Sequence, residues 1–189
     1  DRATGDYIDP LPFFMEKVKD NTAPHAEGII LFPQPGKGVV NGKQTRQTFP
    51  ASPAKPITAW GLIGVGIRAY DHMDGVGNRY GVHTVILEVD GTEVFRSVVD
   101  RFAYEENRYI NSWTHGQYMK SFVEPGNRLR MLHASNGNRG LIEINEERPY
   151  RLVYTLSDAL GNTSKVRFTI QGKNTAIRPM EHREKYAFK

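Results

Sequence analysis

The segment richest in potential metal ligands is residues 71–78, which follow a run of alternating apolar residues. Asp71, Asp74 and Asn78 could supply carboxylate and amide oxygens, and Ca²⁺ binds about six to eight such oxygens. Their spacing differs from that of an EF-hand, and Asp, Gly and Asn are also the residues that ordinary turns favour. The segment is therefore predicted either as a calcium site built on these three residues or as a plain turn.

A second group of candidates lies in residues 100–128, the longest stretch without strand periodicity, where arginine and aromatic residues are dense. Arg108, Tyr109 and Trp113 could contact a ligand or another domain, because aromatic rings stack on sugars and arginine pairs with carboxylates. Burial is nevertheless the default for large aromatic side chains. We therefore interpret Tyr109 and Trp113 first as packing residues, at the end of the fold or against another domain, and second as binding residues.

Catalytic zinc chemistry is not predicted for this chain. A catalytic zinc ion is held by about three protein ligands, and paired His ligands follow short, fixed spacings. None of the six His residues has an Asp four positions later or a His two positions later, and H-E-x-x-H is absent. The lack of Cys also excludes disulfides, thiolate zinc sites and a Cys nucleophile. We predict no catalytic residue and no zinc ligand in this chain.

Nucleotide, nucleic-acid and membrane binding are not indicated either. Residues 64–69 imitate a dinucleotide-binding fingerprint, but they lie in a run with strand periodicity and not at the start of a helix. Gly64 and Gly66 are therefore predicted as strand residues at a bulge or a close backbone approach. The net charge is only +4, with basic and acidic residues interspersed, so no nucleic-acid partner is predicted. No apolar run approaches the length of a membrane span.

The elements that would position these residues are predicted to be β-strands. Apolar residues alternate with a period of two from Ile57 to Ile67 and from Tyr150 to Leu156. Asp90-Gly91 predicts a tight hairpin, because both central residues of a type I′ turn have positive φ. Residues 150–172 resemble the final hairpin of an immunoglobulin-like domain, with Tyr150 placed to form a tyrosine corner.

These patterns predict an all-β protein, an immunoglobulin-like β-sandwich with an irregular N-terminal arm. Residues 1–20 are interpreted as a remnant or linker from a preceding domain, and residues 21–56 as an extended arm with one or two strands. The sandwich is assigned to residues 57–175 and a charged tail to residues 176–189. A chain of 189 residues is long enough to bury one core of this kind.

The N-terminal segment, residues 1–14, resembles a stretch found in lysostaphin-type zinc endopeptidases (peptidase family M-twenty-three), in the form that this family takes in Bacteroidetes. In those proteins a sequence similar to T-G-D-x-I-D-P-L-P-F follows the H-x-H strand that closes the catalytic domain. Further blocks are similar and occur in the same order, so that the resemblance extends to about residue 172. They are residues 38–42, 57–61, 80–82, 106–113, 119–122, 124–127 and 146–150.

The resemblance implies that the chain is an excised part of a longer protein, the region that follows the peptidase domain of a secreted enzyme acting on peptidoglycan cross-links. Zinc would then be expected only in that preceding domain. This region would position the domain, cover its cleft, or bind the wall or an envelope protein, in the periplasm, the cell envelope or the exterior. Two other possibilities stay open. One is a stand-alone envelope binding or adhesion module, or a regulator, whose parent is catalytically dead; the other is a carbohydrate-binding module that uses Tyr109 and Trp113.

Overall fold

The computed structural model describes residues 1–180, and these residues form mostly β-structure. The helical elements are two 3-10 turns, Leu11–Phe13 and Tyr104–Tyr109, and the short helix α1, Ile110–Trp113. Within residues 1–180 no helix combines the length and the apolar character that crossing a membrane requires. In chain order the strands are β1 Tyr7–Ile8, β2 His25–Val40, β3 Gln47–Pro50, β4 Ile57–Tyr70, β5 Thr84–Val89, β6 Thr92–Val98, β7 Arg101–Phe102, β8 Thr114–His115, β9 Tyr118–Lys120, β10 Leu132–Ala134, β11 Ile142–Ile144, β12 Pro149–Ser157 and β13 Thr163–Gly172.

The strands form one large curled sheet and one small pair. The main path of the large sheet runs β10-β6-β5-β12-β13-β4-β2-β3, while β1 and β7 pair separately. Neighbours along the main path are antiparallel except β13 and β4, which are parallel. The predicted all-β class is therefore confirmed.

β4 pairs with other strands along both of its edges. β2 pairs with one of its edges over nearly the whole length, from His25 opposite Tyr70 to Val40 opposite Ala59. Along its other edge β4 meets three strands in succession, first β13, then β11 and finally β9. Residues 25–50, predicted as part of an extended arm, thus belong to the main sheet through β2 and β3.

Alternating side chains of β4 and β12 enter the core, as the period-two pattern predicts. Their buried apolar members are Ile57, Ala59, Ile63, Val65, Ile67, Tyr150, Leu152, Tyr154 and Leu156. They belong to one apolar cluster that also includes Leu87 of β5 and Phe95 of β6. Each large side chain buried in this way contributes about 1.5–3 kcal/mol, which makes the cluster the main source of stability.

Two local predictions for the turns are confirmed. Asp90 and Gly91 have φ values of 51° and 82°, and they connect β5 to β6 as a tight hairpin. The hydroxyl of Tyr150 accepts hydrogen bonds from the backbone N–H groups of Asn145 and Glu146 at 3.2 and 3.1 Å. A tyrosine that returns to the backbone just upstream of its own strand is the predicted tyrosine corner.

The paired glycines of β4 lie where other groups approach the backbone closely. A Cβ atom at Gly64 would overlap the ring of Phe122, which is 1% exposed. A Cβ atom at Gly66 would lie 2.8 Å from Cγ2 of Ile30. The prediction of strand glycines at a close approach is confirmed, and the dinucleotide interpretation of residues 64–69 does not apply.

The chain after β13 contacts the loop between β2 and β3. The backbone N–H of Arg178 donates to Oε1 of Gln44 at 2.9 Å, and Nε2 of Gln44 donates to the Arg178 carbonyl at 3.0 Å. The charged tail predicted for residues 176–189 is described only as far as Met180. Its residues 181–189 lie outside the described residues.

Replacing Gly64 with Ala should destabilise the fold by about 1–3 kcal/mol, because the added methyl group must displace the packed ring of Phe122. Urea unfolding would measure the change. Gly77→Ala is the matched control, since a Cβ atom at Gly77 meets no other atom within 4 Å. Equal stability of the two variants would show that the contact between Gly64 and Phe122 is not tight.

Candidate functional site

Residues 1–20, here called the N-terminal segment, are attached to the rest of the chain. β1 and β7 pair antiparallel, with Tyr7 opposite Phe102 and Ile8 opposite Arg101. The backbone N–H of Asp9 donates to the Asp100 carbonyl at 3.0 Å, which extends the pairing by one hydrogen bond. The segment that carries the sequence resemblance is therefore held by backbone hydrogen bonds rather than hanging free.

Asp6, Glu106 and Arg130 form the charged centre of this attachment. Asp6 and Glu106 are each only 7% exposed. Nη2 of Arg130 donates to Oδ1 of Asp6 at 3.0 Å and to Oε2 of Glu106 at 3.2 Å, and its Nε donates to Oε1 of Glu106 at 3.2 Å. The other carboxylate oxygen of Asp6 lies 3.6 Å from Nη1 of Arg101. Arg130 thus bridges the N-terminal segment to the 3-10 turn that contains Glu106.

Glu106 is held in its ionised form by donors on both of its oxygens. Burial alone would raise the pKa of Glu106, but the hydrogen bonds from Arg130 and from the backbone N–H of Ala103 lower it below the ordinary value. Backbone N–H groups of Ala103 and Arg130 donate to it at 2.7 and 2.8 Å. Hydrogen bonds to Glu106, and then to Asp6, raise the pKa of Arg130 in turn.

Residues 4–11 have local structure that explains their sequence. Oγ1 of Thr4 accepts the backbone N–H of Asp6 at 3.3 Å, which directs Asp6 towards Arg130. Gly5 has φ of 73°, in the left-handed region that favours glycine. Oδ1 of Asp9 accepts the N–H of Leu11 at 2.9 Å, and the 3-10 turn begins there. The T-G-D and D-P-L pieces of the segment are thus turn chemistry around one buried carboxylate.

A mainly apolar groove of about 760 Å³ lies against the N-terminal segment. Pro10, Leu11, Phe14 and Val18 of the segment line one part of it. Other apolar residues that line the groove are Met73, Tyr80, Val82, Val99, Trp113 and Met119. Phe14, Tyr80 and Val99 are 53%, 40% and 39% exposed, so the groove presents apolar surface to its surroundings.

Of the three residues predicted as binding or interface candidates, Arg108 and Tyr109 lie together, whereas Trp113 is buried. The guanidinium of Arg108 lies 4.9 Å from the ring centroid of Tyr109, and Arg108 borders a shallow depression that Tyr104 also lines. Trp113 is only 8% exposed, and its Nε1 donates to the Lys120 carbonyl at 3.1 Å. Trp113 is therefore a packing residue with one edge on the groove, while Arg108 remains at the surface.

The three residues predicted as calcium ligands have separate roles. Asp74 is exposed, and its carboxylate accepts hydrogen bonds from Oγ1 of Thr22 at 2.6 Å and from the backbone and side-chain nitrogens of Asn21 at 3.1 and 2.9 Å. Asn78 uses its backbone carbonyl, which accepts a hydrogen bond from Nδ1 of His72 at 2.8 Å. Asp71 lies near other carboxylates, those of Asp20 and Asp158.

The sequence alone does not predict the residues that converge around Asp71 or around Arg130. Asp20 and Asp158 belong to no recognisable motif, and their separation of 138 positions in the sequence hides their proximity. Glu106 and Arg130 carry no motif of their own, because any surface can contain an acid and a base 24 positions apart. The one available indication was the resemblance of the segment that contains Asp6.

Comparisons with protein-family models, with curated proteins and with solved structures find no match for this chain. Its role has to be inferred from its own contacts and from the sequence resemblance. Those contacts hold the N-terminal segment in place beside an apolar surface.

Trp113→Ala should lower stability by about 3–5 kcal/mol, because it removes a large buried side chain and leaves the Lys120 carbonyl without its donor. Thermal and urea unfolding of the isolated chain would measure the loss. Arg108→Ala, at an exposed position, should change stability by less than about 0.5 kcal/mol. A nearly unchanged melting temperature for Trp113→Ala would instead support an interface role for this side chain.

Glu106→Gln should destabilise the fold at neutral pH and do so progressively less in acid. The folded-state pKa of Glu106 is lowered, so its stabilisation is present above the unfolded-state pKa and is lost as the pH falls through the folded-state value. We expect a loss of about 1–2 kcal/mol near pH 7 that shrinks below about pH 4. Urea unfolding across this pH range would measure the loss of stability, with Glu105→Gln at an exposed position as the control. A loss of stability that stayed constant with pH would contradict the prediction.

Proposed function

We propose that this chain is the non-catalytic accessory region of a secreted zinc endopeptidase that cleaves peptidoglycan cross-links, and that it holds the catalytic domain in a fixed orientation. One observation carries the proposal. The residues that resemble the stretch after a lysostaphin-type catalytic domain are the same residues that dock on this chain through β1 and Asp6.

A docked segment favours positioning over simple tethering. A flexible linker samples a wide range of end-to-end distances, and it leaves the joined domains free to rotate. Here the segment is held at Asp6 by an ion pair, at Tyr7 and Ile8 by strand pairing and at Asp9 by a backbone hydrogen bond. A domain joined just upstream of these residues would therefore have little rotational freedom relative to the sheet.

The groove beside the segment supports the same role. Exposed apolar patches of this kind mark contacts with other domains or proteins. Phe14, which belongs to the segment, and Tyr80 and Val99, which do not, contribute exposed apolar surface to it. We propose that the catalytic domain contacts this groove, because the segment that would connect to that domain also lines the groove. The zinc ion would belong to that domain, in the periplasm, the cell envelope or the exterior.

The same proposal includes an immunoglobulin-like β-sandwich for residues 57–175. The tyrosine corner at Tyr150 and the long β12–β13 hairpin support it, because both features occur at the end of such domains. Here the strands belong to one curled sheet, in which β2 adds to the edge of β4.

The alternative is a binding or adhesion module, or a regulator, that follows a catalytically dead domain. It would use the same attachment, so the two functions differ only in the residues upstream of Asp1. The coding sequence there should contain intact H-x-x-x-D and H-x-H motifs if the parent is an enzyme. Substituted ligands would contradict the enzymatic proposal and favour the regulator.

The positioning role predicts the behaviour of Arg130→Ala in the full polypeptide, including its upstream domain. Loss of the bridge to Asp6 should speed chymotrypsin cleavage after Tyr7 or Phe14 by about tenfold, because local opening becomes more frequent. Peptidoglycan cleavage should fall, while release of a small soluble peptide substrate should not. Arg128→Ala is the matched control at an exposed position nearby. Faster proteolysis with unchanged peptidoglycan cleavage would show that orientation is not the function.

A further inference from the structure

Three carboxylates from distant parts of the chain converge beside the groove. Asp20 lies at the end of the N-terminal segment, Asp71 directly follows β4 and Asp158 directly follows β12. One oxygen from each carboxylate lies within 4.8 Å of the oxygens from the other two. Asp71 and Asp158 are 8% and 6% exposed, so two of the three charges are buried.

Two of the carboxylates are fixed in place by donors. Oδ1 of Asp158 accepts the N–H groups of Leu160 and Asn162 at 2.9 and 2.8 Å, and its Oδ2 accepts Nδ2 of Asn162 at 2.7 Å. Oδ1 of Asp20 accepts the N–H groups of Thr22 and Asp74 at 3.0 and 3.2 Å. Such donors fix the positions of both carboxylates.

Asp71 differs from them because part of its carboxylate has no donor. Its backbone is fixed by two hydrogen bonds with Tyr80, both of 2.9 Å. Its Oδ1 is buried and has no hydrogen-bond partner within residues 1–180. A buried carboxylate oxygen without a donor is costly, and the carboxylate of Asp71 also has two further carboxylates close to it.

No ion pair compensates this charge within the described chain, although the backbone and the ring of His72 both act to lower the pKa of Asp71. Among residues 1–180, no Lys, Arg or His nitrogen lies within 4.0 Å of the carboxylates of Asp20, Asp71 or Asp158. Burial, followed by the charges of Asp158 and Asp20, raises the pKa of Asp71 above its ordinary value. The arrangement therefore lacks a positive charge at its centre.

We infer that Asp20, Asp71 and Asp158 bind one divalent cation of the calcium class. Calcium lies about 2.3–2.6 Å from its oxygen ligands, so two ligands on opposite sides can be about 5 Å apart. The 4.8 Å limit on the three oxygens fits one such ion. The ligands are all carboxylates, which favours a hard cation over zinc, and Mg²⁺ would need shorter distances of about 2.1 Å and a stricter geometry.

A cation at this position would tie together three segments that the backbone does not connect locally. The end of the N-terminal segment, the end of β4 and the β12–β13 turn would share one centre. With three protein carboxylates and water as the remaining ligands, we expect a dissociation constant of about 10⁻⁴–10⁻³ M, the range of extracellular calcium modules. The ion would stabilise this fold whether or not a catalytic domain precedes it.

Thermal unfolding of the metal-free chain tests the site directly. With about 5 mM CaCl₂ the melting temperature should rise by about 3–6 °C, as mass action predicts for an ion that binds only the folded state. Isothermal titration calorimetry should detect one calcium ion per chain. No rise, or an equal rise with the same concentration of MgCl₂, would overturn the assignment.

Substitutions of the cluster carboxylates test whether calcium binds at this position. Asp71→Asn and Asp20→Asn should each remove most of the calcium-dependent rise, and the second tests the site at a less buried position should the first variant fail to fold. Asp100→Asn, a substitution of an exposed carboxylate outside the cluster, should keep the full rise. A full rise in both cluster variants would place calcium elsewhere and overturn the inference.

Discussion

The pairing of β4 on both of its edges is the constraint on which the rest of the structure depends. β2 occupies one edge, and β13, β11 and β9 share the other, so strands from the beginning, middle and end of the chain meet on one strand. This arrangement requires glycine in β4, because Phe122 packs where a side chain of Gly64 would lie. The end of β4 also delivers Asp71 to the point where Asp20 and Asp158 arrive from opposite ends of the chain. Both the core and the acidic cluster therefore follow from the path of one strand.

The attachment of the N-terminal segment depends on a different balance of forces. Its backbone pairing is short, since β1 and β7 contribute only two residue pairs. Most of its specificity comes from Arg130, which donates to two carboxylates that are almost fully buried. The side chain of Arg130 is itself 55% exposed, so solvent screens part of the attraction, but its loss would leave the buried carboxylate of Glu106 without a cation. The network is therefore better suited to selecting one orientation of the segment than to strengthening the fold.

Local patterns in the sequence predicted those parts of the fold that depend on neighbouring residues. The Asp90-Gly91 hairpin, the alternation in β12 and the tyrosine corner at Tyr150 all follow from short-range chemistry. The full length of β2 is harder to predict, because residues 33–36 have the composition of a turn. In the structure the strand continues through them, with a shift in its register against β4. The acidic cluster and the Asp6–Arg130 pair join residues more than 50 positions apart, and no spacing rule applies to them. The first interpretation of Trp113 as a packing residue agrees with its burial.

The way the N-terminal segment is attached has a mechanical consequence. A pulling force applied to the chain ahead of Asp6 would reach the ion pair with Arg130 before it reached the backbone pairing of Tyr7 and Ile8. Through Arg130 the load would pass to the backbone beside β10 and, through Glu106, to the 3-10 turn. Tension would thus be spread over several elements and would not peel one strand away from its end. Under tension such a connection would keep its alignment until the charged centre itself gave way.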